Sequence, residues 1–206
     1  MDAASDSSAR NPPMPPVTQG LIIVTVLVFM LQLSGAGALL DAFALWPSVG
    51  NVLTAPWQLV TYSFLHGSIG HIFFNLFAVY MFGAPLEQVF GPKRFAQLWF
   101  ASVFSGALMQ VLVATLTGNM VPVIGASAGV FGLLLGYGML FPNRRLMLLF
   151  PPIPMPAKVF VVGYGALELF LGLTGMQAGV AHFAHLGGML GAWLMLRRFT
   201  GRRRRG

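Results

Sequence analysis

Gly125-Ala126-Ser127-Ala128-Gly129 stands at the head of an apolar segment that runs to Pro142-Asn143-Arg144. A Gly-x-Ser-x-Gly run frames a nucleophile with residues small enough for the backbone to turn sharply and for a reactant to approach. A later apolar segment carries His185 followed by Gly187-Gly188. A serine and a base inside a bilayer point to hydrolysis where water is scarce.

The bilayer follows from composition. Of 206 residues 56% are hydrophobic and 8% charged, against about 25% charged in soluble domains. Crossing the hydrocarbon takes about 20 apolar residues, and the sequence predicts six spans at 20–40, 70–90, 95–116, 127–141, 158–177 and 180–199. The expected fold is an all-α, six-transmembrane-helix bundle over 20–199, with a disordered cytoplasmic tail at 1–19 and a basic cytoplasmic tail at 200–206. Pro12, Pro13, Pro15 and Pro16 mark the first tail, which lacks the pattern of a removable signal peptide. The absence of Cys excludes disulfides, thiolate metal sites and a Cys nucleophile.

The net charge of +7 is a topology signal. Arg10, Lys93, Arg94, Arg144, Arg145, Lys158, Arg197, Arg198 and Arg202 to Arg205 all fall on one side of a six-span chain, and the connections 41–69, 117–126 and 178–179 carry no Lys or Arg. The positive-inside rule then puts both termini in the cytoplasm. The Arg-rich end is read as lying beside anionic lipid, and nucleic acid is not an expected partner. The outer segment 41–69 holds Phe43, Trp46, Trp57, Tyr62 and Phe64 and is expected to lie in the membrane interface. The Pro-rich stretch 142–157 reads as a connector at the opposite surface.

The fourth segment ties this architecture to chemistry. Residues 127–141 make a helix of ~22 Å, short of the ~30 Å hydrocarbon core. It is therefore expected to start below the outer surface, with Ser127 submerged as its N-cap and 117–126 dipping in as irregular backbone. Such backbone is tolerated only where protein or a watery cavity shields it. At 1.5 Å per residue His185 lies ~18 Å above Arg197 and Asn75 ~22 Å above Phe90, and His71 lies on the face of Asn75. Four polar side chains are thus expected in one layer.

Acyl transfer assigns them roles. Ser127 is the candidate nucleophile and His185 the general base. His71, Asn75 and the Ser127 amide are candidate oxyanion donors and substrate-positioning groups. Gly129, Gly132 and Gly136 on one segment, with Ala184, Gly188 and Gly191 on another, predict close contact of the fourth and sixth helices. No carboxylate is expected to complete a triad: Glu87 is near the cytoplasmic end of the second helix, and Glu168 is read as a neutral acid bonded to a neighbour. The expectation is a Ser-His dyad, with His182 structural and His66 bonded within the outer loop.

At these residues the chain resembles the rhomboid family of intramembrane serine proteases. His71-Ile-Phe-Phe-Asn75 is similar to the family's His-x-x-x-Asn on the second helix, Gly125–Gly129 to its nucleophile motif, and Ala184-His185-Leu-Gly-Gly188 to its base motif. Glu87, four residues after Gly83, also fits the pattern. Where the family's outer loop often carries Trp-Arg, this chain has Trp57-Gln58. The resemblance implies cleavage of other transmembrane proteins within or beside a membrane helix, without a cofactor or metal. A six-span core without a transit peptide suits a multi-pass protein of a bacterial inner membrane. The small residues around Ser127 favour a small side chain before the cut. Two other functional classes make different demands on the sequence. A non-proteolytic binder or chaperone of transmembrane segments would not need Ser127 and His185. A metal or haem protein would need a carboxylate or Cys beside the histidines, and none is expected there.

Overall fold

In the computed structural model, residues 13–35, 37–147, 152–176 and 179–203 are described. The chain is mostly helical, and four of its helices are long and apolar enough to cross a membrane. These are α1 (Pro16–Leu33), α5 (Ile69–Phe90), α6 (Pro92–Thr117) and α8 (Ala157–Thr174). Between α1 and α5 lie three short helices, α2 (Gly37–Phe43), α3 (Val49–Thr54) and α4 (Gln58–Thr61). A shorter apolar helix, α7 (Ser127–Leu140), follows α6, and α9 (His182–Arg203) ends the fold.

The helix limits have local causes, and several differ from expectation. The tail expected over 1–19 is already helical from Pro16, because buried Glu87 captures the start of α1. Its carboxylate accepts from the Val17 amide at 2.9 Å, the Thr18 amide at 2.7 Å and the Thr18 hydroxyl at 2.7 Å. The two amides are donors that a helix start leaves without partners. Residues 1–12 lie outside the described residues. Helix α1 stops at Leu33, before Gly35 at φ +97°, so the first span is 16–33 and not 20–40. Helix α8 stops at Thr174 with Gly175 in the left-handed region, a common helix stop. The basic tail expected from residue 200 begins as helix, since α9 runs to Arg203; residues 204–206 are outside the described set. Helix α5 is widened by a π-helical stretch at Val79–Gly83. The connector holds an antiparallel hairpin of β1 (Arg145–Met147) and β2 (Pro154–Pro156), Leu146 facing Met155.

Helix α6 is the hub of the core. Phe95, Leu98, Trp99, Val103 and Ala107 on it are fully or almost fully buried. Glycines let its neighbours reach it. A Cβ at Gly106 would fall 2.6 Å from the Ala128 side chain and 2.8 Å from the Ala184 carbonyl, so α6, α7 and α9 meet at one small residue. The expected contact of α7 with α9 is present at Gly188, whose missing Cβ would overlap the Ala128 carbonyl. The rest of that expectation needs correction. A Cβ at Gly132 would meet both Ser102 of α6 and, at 3.1 Å, the Gly188 carbonyl of α9, whereas Gly129 faces Trp99 and Gly191 faces Ala101, both of α6. The small-residue stripes serve a three-helix contact.

The outer segment is held to the entrance of α7. Leu45 and Val123 exchange backbone hydrogen bonds at 3.0 and 2.9 Å, and the Gly125 amide donates to the Tyr62 carbonyl at 2.9 Å. Trp57 and Gln58 donate from their side chains to the Ala42 carbonyl. Residues 41–69 and 117–126 therefore form one unit above the helices.

Candidate active site

Two features of sequence shape the entrance to α7. Gly125 has φ +120°, a backbone region that side chains rarely enter. A Cβ there would also lie 2.7 Å from Cε1 and Nε2 of His71. The first glycine of the motif thus makes the turn and admits the His71 ring. The next amide, that of Ala126, donates to His66 Nε2 at 3.4 Å. His66 Nδ1 contacts the Phe64 carbonyl at 3.4 Å, and its backbone pairs with the Gln32 side chain. The expected bonding of His66 within the outer loop is extended here to the start of α7. Burial, with His71 nearby adding to it, holds the His66 imidazole down at about 4.

Ser127 is not the N-cap. Ala126 takes that place with no side-chain cap, and Ser127 is the first helical residue. Its hydroxyl is therefore not spent on the backbone and lies 2.7 Å from Nε2 of His185. The α9 backbone brings His185 in, and the ring of Phe131 stacks on the imidazole, centroids 4.4 Å apart and planes 7° apart. Phe131 is one helical turn after Ser127, so a single helix supplies both the hydroxyl and the platform. Phe131 is not among the residues expected from sequence, although a spacing of four from Ser127 puts it on the same face.

His71 and Asn75 flank the hydroxyl. The Gly67 amide donates to His71 Nδ1 at 3.4 Å, which leaves Nε2 as the protonated nitrogen. Asn75 Nδ2 donates to the His71 carbonyl at 3.0 Å, using one of its two protons. Ser127, His71 and Asn75 all line two cavities. One, of about 540 Å³, is also lined by Gln110, Asn119 and His185. The other, of about 600 Å³, is walled by Phe74, Phe77, Met81, Val130, Phe131 and Phe160. The hydroxyl stands where the more polar chamber meets an apolar cleft between α5 and α8. The four residues expected in one layer are together, and His182 is apart from Ser127.

Glu168 is the surprise. Its Oε2 lies 2.8 Å from Nδ1 of His185 and 2.7 Å from Nδ1 of His182. The expectation that no carboxylate reaches the base is wrong, and a carboxylate does stand beside the histidines. Glu168, His182 and His185 hold one ligand-type atom each within 4.8 Å of one another. Contacts of 2.7 and 2.8 Å onto one oxygen have the length of charge-assisted hydrogen bonds. The missed signal was depth counted from the other end. Glu168 is six residues, ~9 Å, below the end of α8, and His185 three residues, ~4.5 Å, into α9, which runs back antiparallel.

A family profile for the Rhomboid domain matches residues 54–201. The chain is similar to the Rhomboid protease GlpG of Serratia proteamaculans, 31% identical over 186 residues, covering 87% of this chain and 61% of that protein. It is 27% identical over 173 residues to Rhomboid protein 1, mitochondrial, of Saccharomyces cerevisiae, covering 82% of this chain and 49% of the relative. It is also 36% identical over 78 residues to Inactive RHOMBOID-like protein 8 of Arabidopsis thaliana, covering 38% of this chain and 21% of that one. The chain spans about half to three-fifths of the length of the first two relatives.

Proposed function

The chain belongs to the rhomboid family, and from that premise we propose that it is an intramembrane serine endopeptidase acting on transmembrane proteins. The observation that carries this reading is the 2.7 Å contact between the Ser127 hydroxyl and His185 Nε2. That is the separation a general base needs from the proton it removes.

The proposed reaction uses groups already in position. His185 Nε2 takes the hydroxyl proton as Ser127 Oγ bonds to the scissile carbonyl carbon. The oxyanion that forms accepts from His71 Nε2–H, the second Asn75 Nδ2 proton and the Ser127 amide, one of the helix-start amides with no intrahelical acceptor. His185 then gives the proton to the leaving amine, and water from the polar chamber releases the acyl group. A substrate helix hides its carbonyls in i→i−4 bonds, so it must unwind locally to react, which Gly or Pro in it would ease. The apolar cleft beside Ser127 suits such a helix arriving from lipid, and the polar chamber suits its unwound end.

The proposed setting is a multi-pass protein of a bacterial inner membrane, with the protease domain over 20–199 and both termini cytoplasmic. Six spans are counted when α7 and α9 are added to the four long apolar helices. Helix α7 has 14 residues, ~21 Å against ~30 Å of hydrocarbon, which supports a submerged start. A non-proteolytic binder of transmembrane segments is the rival reading, and a relative named inactive gives it a precedent. Incubation in detergent with a labile transmembrane substrate decides between them. Cleavage by the wild type that is lost in Ser127→Ala and in His185→Ala, each still folded, is the expected result. Equal cleavage by Ser127→Ala would overturn the reading.

A further inference from the structure

Helix α8 turns mostly lipid-facing side chains outward: Val162, Leu169, Phe170 and Leu173 are all exposed. Its buried residues are Ala157, Val161, Glu168 and Leu171, spaced as one inward stripe. An ionisable group on that stripe is costly to keep in a membrane bundle unless it is paired. Glu168 is paired twice on a single oxygen, by two histidines one helical turn apart on α9.

With Glu168 ionised and both histidines neutral, the three contacts fix the directions of all three hydrogen bonds. A carboxylate Oε2 accepts, so both Nδ1 atoms carry protons. His185 then presents a bare Nε2 lone pair to the Ser127 hydroxyl, the tautomer that a general base requires. The other tautomer would put a proton between Nε2 and the hydroxyl and leave Nδ1 facing Oε2 as two acceptors in contact. His182 Nε2, by the same assignment, is unprotonated. It is buried with no partner among the described residues, so nothing in its surroundings competes for the direction of its Nδ1 proton.

We propose that Glu168 is a positioning residue for His185, fixing its tautomer and ring and balancing the charge it gains on accepting the Ser127 proton, and that His182 acts through Glu168 by holding the same oxygen in place. The proposal rests on the serine endopeptidase reading and changes its working unit from a pair to a four-residue array, Ser127–His185–Glu168–His182. Phe131 and Glu168 constrain the imidazole in complementary ways, since the stack sets the ring plane and the carboxylate sets its rotation within that plane. No atom transfers to Glu168 in this scheme; its carboxylate stays an acceptor throughout.

The test is kinetic, on the full chain in detergent with a cleavable transmembrane substrate. Glu168→Met removes the acceptor at similar length. We expect kcat to fall by ~10²–10⁴ with KM within about threefold, the span usual for losing a competent base. Glu168→Gln keeps an oxygen acceptor and loses the charge, so it should rescue part of the activity and stay ~10-fold or more below wild type. His182→Leu should lower kcat in the wild-type background and do nothing further in Glu168→Met, because it acts only through the missing group. A folded Glu168→Met with wild-type kcat would overturn the proposal, as would additive losses in the double variant. Where Glu168→Met fails to fold, Glu168→Gln decides alone: wild-type kcat overturns it and a lowered kcat at unchanged KM supports it. Ser127→Ala and His185→Ala run alongside. If they cleave, the endopeptidase reading itself has failed; if they are inactive while the Glu168 variants turn over normally, only the array has.

Discussion

The ring of Phe131 lies parallel to that of His185, 4.4 Å away, and the two come from helices whose backbones nearly touch at Ala128 and Gly188. Stacked aromatic pairs contribute about 0.5–1.5 kcal/mol beyond burial. If that energy holds the imidazole against Ser127, Phe131→Leu should lower kcat by ~2- to 10-fold, and Phe131→Tyr should restore most of it. Steady-state kinetics on both variants below their melting points provides the check. A Phe131→Leu variant with unchanged kcat would assign the ring to packing alone.

Gly125 joins backbone to site in the same way. Adding a single methyl as Gly125→Ala meets φ +120° and the His71 ring together. The backbone strain is worth about 1–3 kcal/mol. The variant should therefore melt earlier and turn over at least tenfold more slowly at temperatures where it is still folded. Loss of stability without loss of turnover would separate the glycine from the chemistry.

His66 gives a pH dependence of definite sign. Its imidazole is held at about 4 in the fold and titrates near 6.5 when unfolded. The unfolded chain therefore binds the extra proton first. The stability that neutral His66 contributes is fully present above about pH 6.5 and is lost as pH falls from there toward 4. Protonation also ends its acceptance of the Ala126 amide, next to Ser127. The melting temperature of the wild type should fall faster than that of His66→Phe between pH 6.5 and 4. Parallel curves would contradict this account.

Glu87 is remote from Ser127, so its removal should affect folding only. Glu87→Ala strips the acceptor from the Val17 and Thr18 amides and the Thr18 hydroxyl, and unsatisfied buried donors cost about 1–3 kcal/mol. A lower melting temperature with normal turnover below it is expected. A turnover defect in the folded variant would link α1 to the site.

Much of the site was legible in the sequence because its parts are encoded locally. Gly125–Gly129, the His71/Asn75 pair one turn apart and His185 before two glycines each announce a close approach within a few residues. The length of the fourth apolar segment is also local, and α7 is correspondingly short at 14 residues. What was not legible depends on rotation between helices. The stripes at Gly132 and Gly191 show that something packs closely, but not that α6 is among the partners. Glu168 reaches His185 across a helical hairpin, and which way a lone acid faces on an apolar helix cannot be read from that helix's composition. The start of α1 was missed because its cap, Glu87, lies 69 residues from Thr18.

The most direct measurement of the central claim is where a serine-directed phosphonate attaches. The full chain in detergent is treated with a fluorophosphonate and the adduct is mapped by mass spectrometry, beside His185→Ala at a temperature where both are folded. The account predicts one adduct, on Ser127, and its near-complete loss in His185→Ala. An unmodified Ser127 under conditions where another serine reacts, or labelling of His185→Ala at the wild-type rate, would contradict it.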